Sequence, residues 1–464
     1  MHNIMNLKEI AHKIRSGDIS DLFNRKNGSK TIHPAEVARI FTAVPDRNVL
    51  KIFLSLPADD QVRVFPYMDE KAQARILDSI PDPSAAFILN HLSSDDRTTV
   101  LSHLKGLSLT HALSKLDVGK RDLSHDILGF PENSVARILN TDFATIHGES
   151  TIAEASEHLR RHHRDNETAN VIYVVDSEGR LVDDIPIRRL VLNEPDKKVA
   201  EVMDGFITKL NIRDTKEEAV AKFKEYDRVA LPVTNDENLL LGVVTVDDVL
   251  DVAEEKDTAE IQKFGGVEEL DYPYVKTPLF SLLRKRAGWL IVLFLGEMFT
   301  ATAMGYYDKE ISNAVVLALF IPLVISSGGN SGSQAATLII RAMALKEIGI
   351  KDWWYVMRRE ILSGLSLGIV LGSIGFIRIS VWHVMNWYDY GPHWVLLAVT
   401  IFFSLIGIVI WGTLMGSMIP IVLKRLGIDP ATSSAPFVAT LVDVTGLIIY
   451  FSIAALILKG TILP

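Results

Sequence analysis

Arg284-Lys285-Arg286-Ala287-Gly288-Trp289-Leu290-Ile291-Val292-Leu293-Phe294-Leu295 marks a step in composition, three cations followed by an apolar run. Before Arg286 the 464-residue chain reads as a soluble, charged protein; after Ala287 almost everything is apolar, with Gly, Ser and Thr interspersed. Apolar runs near or above the roughly 18–20 residues of a helical span lie at about 288–307, 313–340, 361–382, 394–423 and 436–458, so the simplest count is five spans. Basic residues orient them. Arg284, Lys285 and Arg286 precede the first span, and Arg341, Lys346, Lys351, Arg358 and Arg359 lie between the second and third. Lys424 and Arg425 lie between the fourth and fifth, whereas the opposite loops carry Asp308, Lys309, Glu310 and Asp389. The positive-inside rule then places the N-terminus in the cytoplasm and the C-terminus outside, with Trp382, Trp387 and Trp394 in an outer interfacial belt.

Working back from that step, the length exceeds one core, and roughly 150 residues per domain implies about three units. Residues 1–18 carry charges throughout and lack the apolar core of an export signal, so the soluble half is expected to stay in the cytoplasm. A net charge of -9 without a long Lys/Arg tract excludes a phosphate-tracking surface, and nucleic acid is not an expected partner. The absence of cysteine excludes disulfides and thiolate metal sites.

Val44, Leu56, Met68, Ile80, Leu92 and Leu104 recur every twelve residues, often followed by Pro or Ser and then Asp. Pro near a helix start and Asp in its first turn suit short helices, so residues 30–130 read as a small helical solenoid, or as an irregular bundle with chance spacing. From about 140 to 255 a second repeat has a period of about 60 residues and alternates helix, strand, turn and strand. Thr151-Ile152-Ala153-Glu154-Ala155 leads to Val171-Ile172-Tyr173-Val174-Val175, as Thr215-Lys216-Glu217-Glu218-Ala219 leads to Ala230-Leu231-Pro232-Val233. The second unit closes with Gly242-Val243-Val244-Thr245-Val246-Asp247-Asp248-Val249-Leu250, which looks like the end of a CBS domain. Two such units make a CBS pair, a sensor rather than a catalyst.

Two membrane segments carry the chemistry. Asp443, in Ala435-Pro436-Phe437-Val438-Ala439-Thr440-Leu441-Val442-Asp443-Val444-Thr445-Gly446, is a carboxylate at membrane depth, which is expensive unless it faces water, a cation or a partner. It reads as a functional site, against a protonated or hydrogen-bonded Asp at a helix contact. Ser326-Ser327-Gly328-Gly329-Asn330-Ser331-Gly332-Ser333-Gln334 is too rich in Gly and hydroxyls for a lipid-facing helix; it reads either as tight packing or as unwound backbone lining a wet cavity, with Asn330 and Gln334 offering oxygens to hydrated cations. Glu297 is a second carboxylate at depth, read as a structural hydrogen bond in preference to an ion path. His162 and His163, beside Arg160, Arg161 and Arg164, read as a solvated helix face rather than metal ligands.

The two membrane motifs, following a solenoid and a CBS pair, resemble the MgtE family of magnesium channels over nearly the whole chain. The resemblance implies a multidomain membrane protein: an N-terminal α-helical solenoid (1–137), an α/β CBS pair (138–198 and 199–256), a connecting plug helix (245–285) and a five-helix transmembrane domain (286–464). It implies a homodimer in membrane lipid, with one pore on the two-fold axis where Asp443 binds hydrated Mg2+ and the Ala439 carbonyl helps line the path. Mg2+ suits such a site because it demands octahedral oxygen ligands and gives up water reluctantly. The resemblance further implies that Mg2+ between the CBS acids Asp214, Glu217, Glu218 and Asp227 and the plug acids Asp247, Asp248, Asp251, Glu254, Glu255 and Glu260 holds a closed state. A solvated acidic helix is the plain reading of that plug run.

Three departures from the family pattern are visible. Arg189 stands where a closing Asp suited to a nucleotide ribose is typical, which argues against adenine nucleotide at the pair. Lys256 and Ala259 interrupt the plug acids, and the segment 131–137 departs from the usual Asp and Gly pattern, which weakens the solenoid's claim to metal sites. The expected function is a Mg2+-selective, cytosolic-Mg2+-gated channel, not an enzyme. The rivals are a divalent-cation carrier coupled to H+ or Na+, for which Glu297 is the sequence hint, and a CBS-containing sensor that transports nothing.

Overall fold

The computed structural model describes residues 33–42, 46–163, 168–270, 274–275 and 277–461; Val44 and Arg164 lie outside them. The chain divides into two compact units, 1–254 and 255–464.

Among the described residues the first unit begins with eight short helices: α1 (Pro34–Thr42), α2 (Asp46–Leu54), α3 (Ala58–Val64), α4 (Glu70–Ser79), α5 (Asp82–His91), α6 (Ser94–His103), α7 (Leu107–Ser114) and α8 (Val118–Leu128). The twelve-residue period has a direct structural cause. Leu56, Met68, Ile80, Leu92 and Leu104 each end a helical segment and drop into the shared core at about the same depth, 5–6% exposed. Each also closes its turn through its backbone N–H, as Ile80 does to the Ile76 carbonyl (2.9 Å) and Leu92 to that of Ile88 (3.1 Å). Leu116, 5% exposed, continues the series one step beyond its expected end. Polar first residues then restart the chain, with Asp69 accepting from Ala72 N (2.9 Å) and Ser93 from Asp96 N (3.4 Å), side chains that satisfy helix N–H groups left without an intrahelical partner.

Two similar α/β modules follow. In one, β1 (Phe143–His147), α9 (Ile152–His162), β2 (Thr168–Val175), β3 (Leu181–Pro186) and α10 (Ile187–Leu192) build a sheet in which β1 and β2 are parallel and β2 and β3 antiparallel. The other repeats it with β4 (Leu210–Asn211), α11 (Lys216–Tyr226), β5 (Ala230–Thr234) and β6 (Leu240–Thr245). Thr151 and Thr215 open α9 and α11 with the same capping box, each accepting from the Glu three residues on, which explains the repeated Thr-x-x-Glu. The solenoid is tied to the second module through Asn140, just past its end, which exchanges two 2.8 Å backbone hydrogen bonds with Val243 and donates through Nδ2 to Asp95 of α6 (3.3 Å). Gly242 allows this approach, because a Cβ there would stand 2.6 Å from the Asn140 carbonyl oxygen.

From β6 the chain enters α12 (Val246–Phe264), a 19-residue helix that contains the division between the units. Among the described residues the second unit has five helical segments long and apolar enough to cross a membrane. They are formed by α13 (Leu279–Tyr306), then α14 (Asp308–Asn313) as a connection, α15 (Val315–Ala318) with α16 (Ile321–Ala344), α17 (Trp353–Val384), α18 (Trp394–Arg425) and α19 (Ala435–Leu458). The first begins nine residues earlier than the apolar run at 288, so Arg284, Lys285 and Arg286 lie within its opening turns rather than before it.

Helix α18 is central, and glycines let its neighbours reach it. A Cβ on Gly412 would stand 2.3 Å from the Gly328 carbonyl oxygen, and one on Gly416 2.0 Å from that of Gly332, so α16 and α18 meet backbone to backbone. Gly364, Gly368 and Gly372 repeat the device on α17. At one end Arg378, which the hydropathy pattern passes over, lays its guanidinium over Trp382, 3.5 Å from the ring centroid, and Trp382 lies 6.5 Å from Trp387. The aromatic faces accommodate its charge.

Candidate functional site

The membrane site is built on α16 and α19. Pro436 falls in the first turn of α19, where its missing N–H costs nothing, and Ser434 caps the helix. The helix then runs unbroken to Leu458, placing Asp443 near its middle and half-buried. Helix α16 is likewise unbroken from Ile321 to Ala344, which corrects the expectation of unwound backbone: no local opening of the Gly-Ser run is present. Its two readings instead occupy two faces. Gly328 and Gly332 serve packing, whereas Gly329 faces α19, with its Cβ direction 3.5 Å from Asp443 Oδ1 and 3.6 Å from Ala439 Cβ. Asn330 and Gln334 are exposed, and Asn330 Nδ2 donates to Ser326 Oγ at 3.4 Å. Ala439 lies in a regular turn, so its carbonyl already serves the helix ladder and has only its second lone pair for a water or ion.

Polar contacts fix the frame around Asp443. Ser333 Oγ donates to the Ala435 carbonyl (3.2 Å), Trp411 Nε1 to Thr445 Oγ1 (2.8 Å), and Trp289 Nε1 to Ser434 Oγ (2.9 Å). Glu297, exposed on α13, lies within electrostatic reach of the Asp443 carboxylate. Among the described residues Glu297 has no hydrogen-bond partner, so the structural bond expected from the sequence is not made within one chain. The two carboxylates form one negative locus that a cation would relieve.

A second acidic site assembles from both ends of the first unit. Asp247 and Asp248 open α12, and they interact electrostatically with Asp95 and Asp96 in the first turn of α6. Asp95 is 8% exposed and accepts from Asn140 Nδ2 (3.3 Å); Thr245 Oγ1 donates to Asp248 Oδ2 (2.6 Å). Burial, compounded by the neighbouring carboxylates, pushes Asp248 up to about 8 and Asp96 up to about 6. Burial, together with Asp247 and Glu254, also raises Asp251. Asp95 and Asp96 were missed in the sequence because an acidic pair at a short helix start is the same signal as a favourable first turn.

The CBS acids have local partners of their own. Asp214 accepts from Lys222 Nζ (3.0 Å) and Asn211 N (3.0 Å), Glu217 from Asn133 Nδ2 (2.8 Å), and Glu218 closes the α11 capping box. Asp227 sits in the left-handed region at φ 48° as the cap of α11. In the second unit Asp257 lies 4.0 Å from Arg341 and Lys263 3.1 Å from Asp429. Glu255 and Glu260 lie on α12 beyond the division. Among the described residues no three imidazole or carboxylate groups converge tightly enough to hold a bare ion. A hexahydrated cation tolerates wider spacing, since its waters supply the inner ligands.

Arg189 is committed within the first module, donating to Asp204 Oδ2 (2.6 Å) and to the Val202 carbonyl (2.8 Å). Asp183 is wholly buried and accepts from the N–H groups of Asp204 and Gly205, both at 3.1 Å.

Comparison with known proteins meets these features in the same order. The MgtE intracellular N domain pattern matches residues 32–133, the CBS domain pattern 135–193 and 199–255, and the MgtE pattern, described as a divalent cation transporter, 321–453. A protein named magnesium transporter MgtE from Thermus thermophilus is 36% identical over 331 residues, 71% of each chain. This chain belongs to the MgtE family. A magnesium transporter MgtE from Enterococcus faecalis is 31% identical, over 72% of this chain and 71% of the other. Among solved structures, the cytosolic domain of the Mg2+ channel MgtE in complex with ATP matches at 26% identity and a TM-score of 0.49, covering 53% of this chain and 98% of that one. The MgtE assignment accounts for the solenoid, the CBS pair and the five apolar helices as one architecture.

The raised carboxyl values would make any cation binding at the acidic cluster depend on pH. Between the ordinary carboxyl value of 3.8 and the raised values of about 6 and about 8, the folded chain holds protons that the unfolded chain has released. Without divalent cation, stability therefore falls as pH rises through that window and levels off above it. A bound Mg2+ requires the carboxylates ionised, so its apparent affinity should rise with pH by up to about tenfold per unit for each proton displaced. Thermal melting at pH 6 and pH 8, with and without Mg2+, checks this: Mg2+ should stabilise more at the higher pH, and equal stabilisation at both would remove the cluster as the binding site.

Proposed function

We propose that this chain forms a homodimeric, Mg2+-selective channel of the cytoplasmic membrane, closed by cytosolic Mg2+. The observation that carries the reading is Asp443, a half-buried carboxylate on an unbroken apolar helix, set against Gly329 and within electrostatic reach of Glu297. A charge at that depth is retained where it serves an ion path. Names of the relatives, all magnesium transporters, supply the cargo. Two copies of Asp443 near a two-fold axis would form a ring of carboxylates that favours a hydrated divalent ion over a dry one. The same reading puts the N-terminus inside and the C-terminus outside, so that the acids on α6 and α12 sample the cytosol.

Gating follows from differential binding. Mg2+ among Asp95, Asp96, Asp247 and Asp248, with Asp251 and Glu254 further along α12, favours whichever arrangement brings these acids together. When Mg2+ leaves, like charges favour separation and opening. With Arg189 held by Asp204, adenine nucleotide is no part of the mechanism proposed. Flux into liposomes with Mg2+, Mn2+, Co2+, Ni2+ and Ca2+ tested in turn should favour Mg2+. Single-channel currents that vary linearly with driving force should separate the channel from a carrier coupled to H+ or Na+; saturating, proton-driven uptake without unitary currents would replace this reading with the carrier.

A further inference from the structure

Four histidines gather on the first CBS module, on residues that neither acidic site uses. His158 and His162 lie one turn apart on α9, with ring centroids 4.6 Å apart and planes inclined by 32°. His163, at the cap of the same helix, is 5.4 Å from His158, and His147, at the end of β1, acts electrostatically on the His158 ring. The solvated face read from the sequence is thus a cluster drawn from two elements.

Four features prepare these rings for a metal. His162 Nδ1 lies 3.2 Å from the His158 carbonyl oxygen and His147 Nδ1 3.2 Å from that of Val175. A ring that donates through Nδ1 to a carbonyl presents Nε2 as an acceptor, the tautomer that metal-bound histidines show. Two of the neighbouring arginines, which would oppose a cation, are drawn aside: Glu157 holds Arg161 at 2.7 Å and Arg160 at 3.7 Å. The cluster also lies at the C-terminal end of α9, where the helix carbonyls favour positive charge. Partial burial and the other imidazoles hold His158 below its ordinary value, favouring the neutral, ligating form.

We propose that His158 and His162, with His147 on β1 beside them, form a site for a nitrogen-seeking divalent transition cation such as Zn2+ or Ni2+. A pair of histidines separated by one helical turn presents both Nε2 atoms on one face, and water completes the shell. No three of these rings converge on a single point as they stand, so the helix pair supplies the ligands, and His147, held to the Val175 carbonyl, stands beside them. Mg2+ is excluded by chemistry, because it prefers oxygen, whereas imidazole suits Zn2+, Ni2+ and Cu2+. The site would let the module respond to a cation other than its cargo.

The test is Zn2+ competition against a chromophoric chelator, using the full-length protein in detergent with about 5 mM Mg2+ present to fill the oxygen sites. One Zn2+ per chain is expected, with affinity falling at least about tenfold in the His158→Ala/His162→Ala double variant and by less in His147→Ala. His158 and His162 are exposed, so the variants should melt as the parent does; His162→Gln provides a milder second variant that should also weaken binding. Acidification to about pH 5 should release the ion as the imidazoles protonate. Unchanged Zn2+ affinity in the double variant, or no Zn2+ bound by the parent above the Mg2+ background, would overturn the proposal.

Discussion

Asp443→Ala should abolish Mg2+ flux or reduce it by orders of magnitude while leaving the protein folded. The substitution removes the fixed charge nearest the centre of α19 and opens only a small space beside Gly329, whose Cβ direction lies 3.5 Å from the lost Oδ1. Packing of α19 should survive, because it is held elsewhere: Tyr450 donates to the Leu317 carbonyl (2.9 Å), Trp411 to Thr445 (2.8 Å), and Val438, Val442 and Phe451 are fully buried. Asp443→Asn keeps the shape and the hydrogen-bonding capacity. If the ion passes with its water shell intact, the amide can still accept from a coordinated water, and the loss should be smaller than in the alanine variant. Flux of Mg2+ into liposomes reads both variants against the parent, with gel filtration to confirm the fold. Normal flux through Asp443→Ala would remove the pore assignment, and equal loss in both variants would mean that the charge, rather than the hydrogen bond, holds the ion.

The architecture was legible because its signals are periodic or bulk properties. A twelve-residue spacing exposes the solenoid since every repeat buries one residue at the same point, from Leu56 to Leu104. Five apolar segments are visible since no other soluble arrangement needs such length. Asp443 stands out in the sequence because charge at depth is costly, and the structure sets it half-buried near the middle of α19. What escaped was whatever depends on two distant segments meeting. Asp95 and Asp96 look like ordinary first-turn acids until Asn140 pairs with Val243 and brings α6 beside the start of α12. The Gly-Ser run gave two readings because a helix has two faces, and only the placement of Gly412 and Gly416 shows that Gly328 and Gly332 serve packing while Gly329 serves Asp443. Glu297 eluded its expected hydrogen bond for the converse reason, as it lies on the least enclosed of the five helices.

On the proposed reading, removing the acids of α6 and α12 should separate conduction from its control. The membrane motifs all lie beyond 288, in a unit with its own buried core from Ala314 to Leu458, whereas Asp95, Asp96, Asp247 and Asp248 belong to the other unit. Deleting residues 1 to 270 should therefore leave Mg2+ current intact and abolish its inhibition from the cytosolic face. Neutralising Asp248, Asp251 and Glu254 together should give a milder form, because Asp95, Asp96 and Asp247 remain to bind the ion. The size of the shift is bounded by the differential affinity of Mg2+ for the two states: moving a gate from mostly open to mostly closed takes roughly a 10⁴-fold preference, and each weakened contact lowers it. Patch-clamp current with cytosolic Mg2+ varied measures the midpoint, which should move to higher Mg2+ in the triple variant and vanish in the truncation. Burial of Asp248 sharpens the expectation, since its raised value near 8 makes closure proton-sensitive: at lower pH the parent should need more Mg2+ to close, and the triple variant should lose most of that dependence. A truncated dimer that conducts yet stays fully inhibited would place the sensor among the membrane helices and leave the acids of α6 and α12 a structural role.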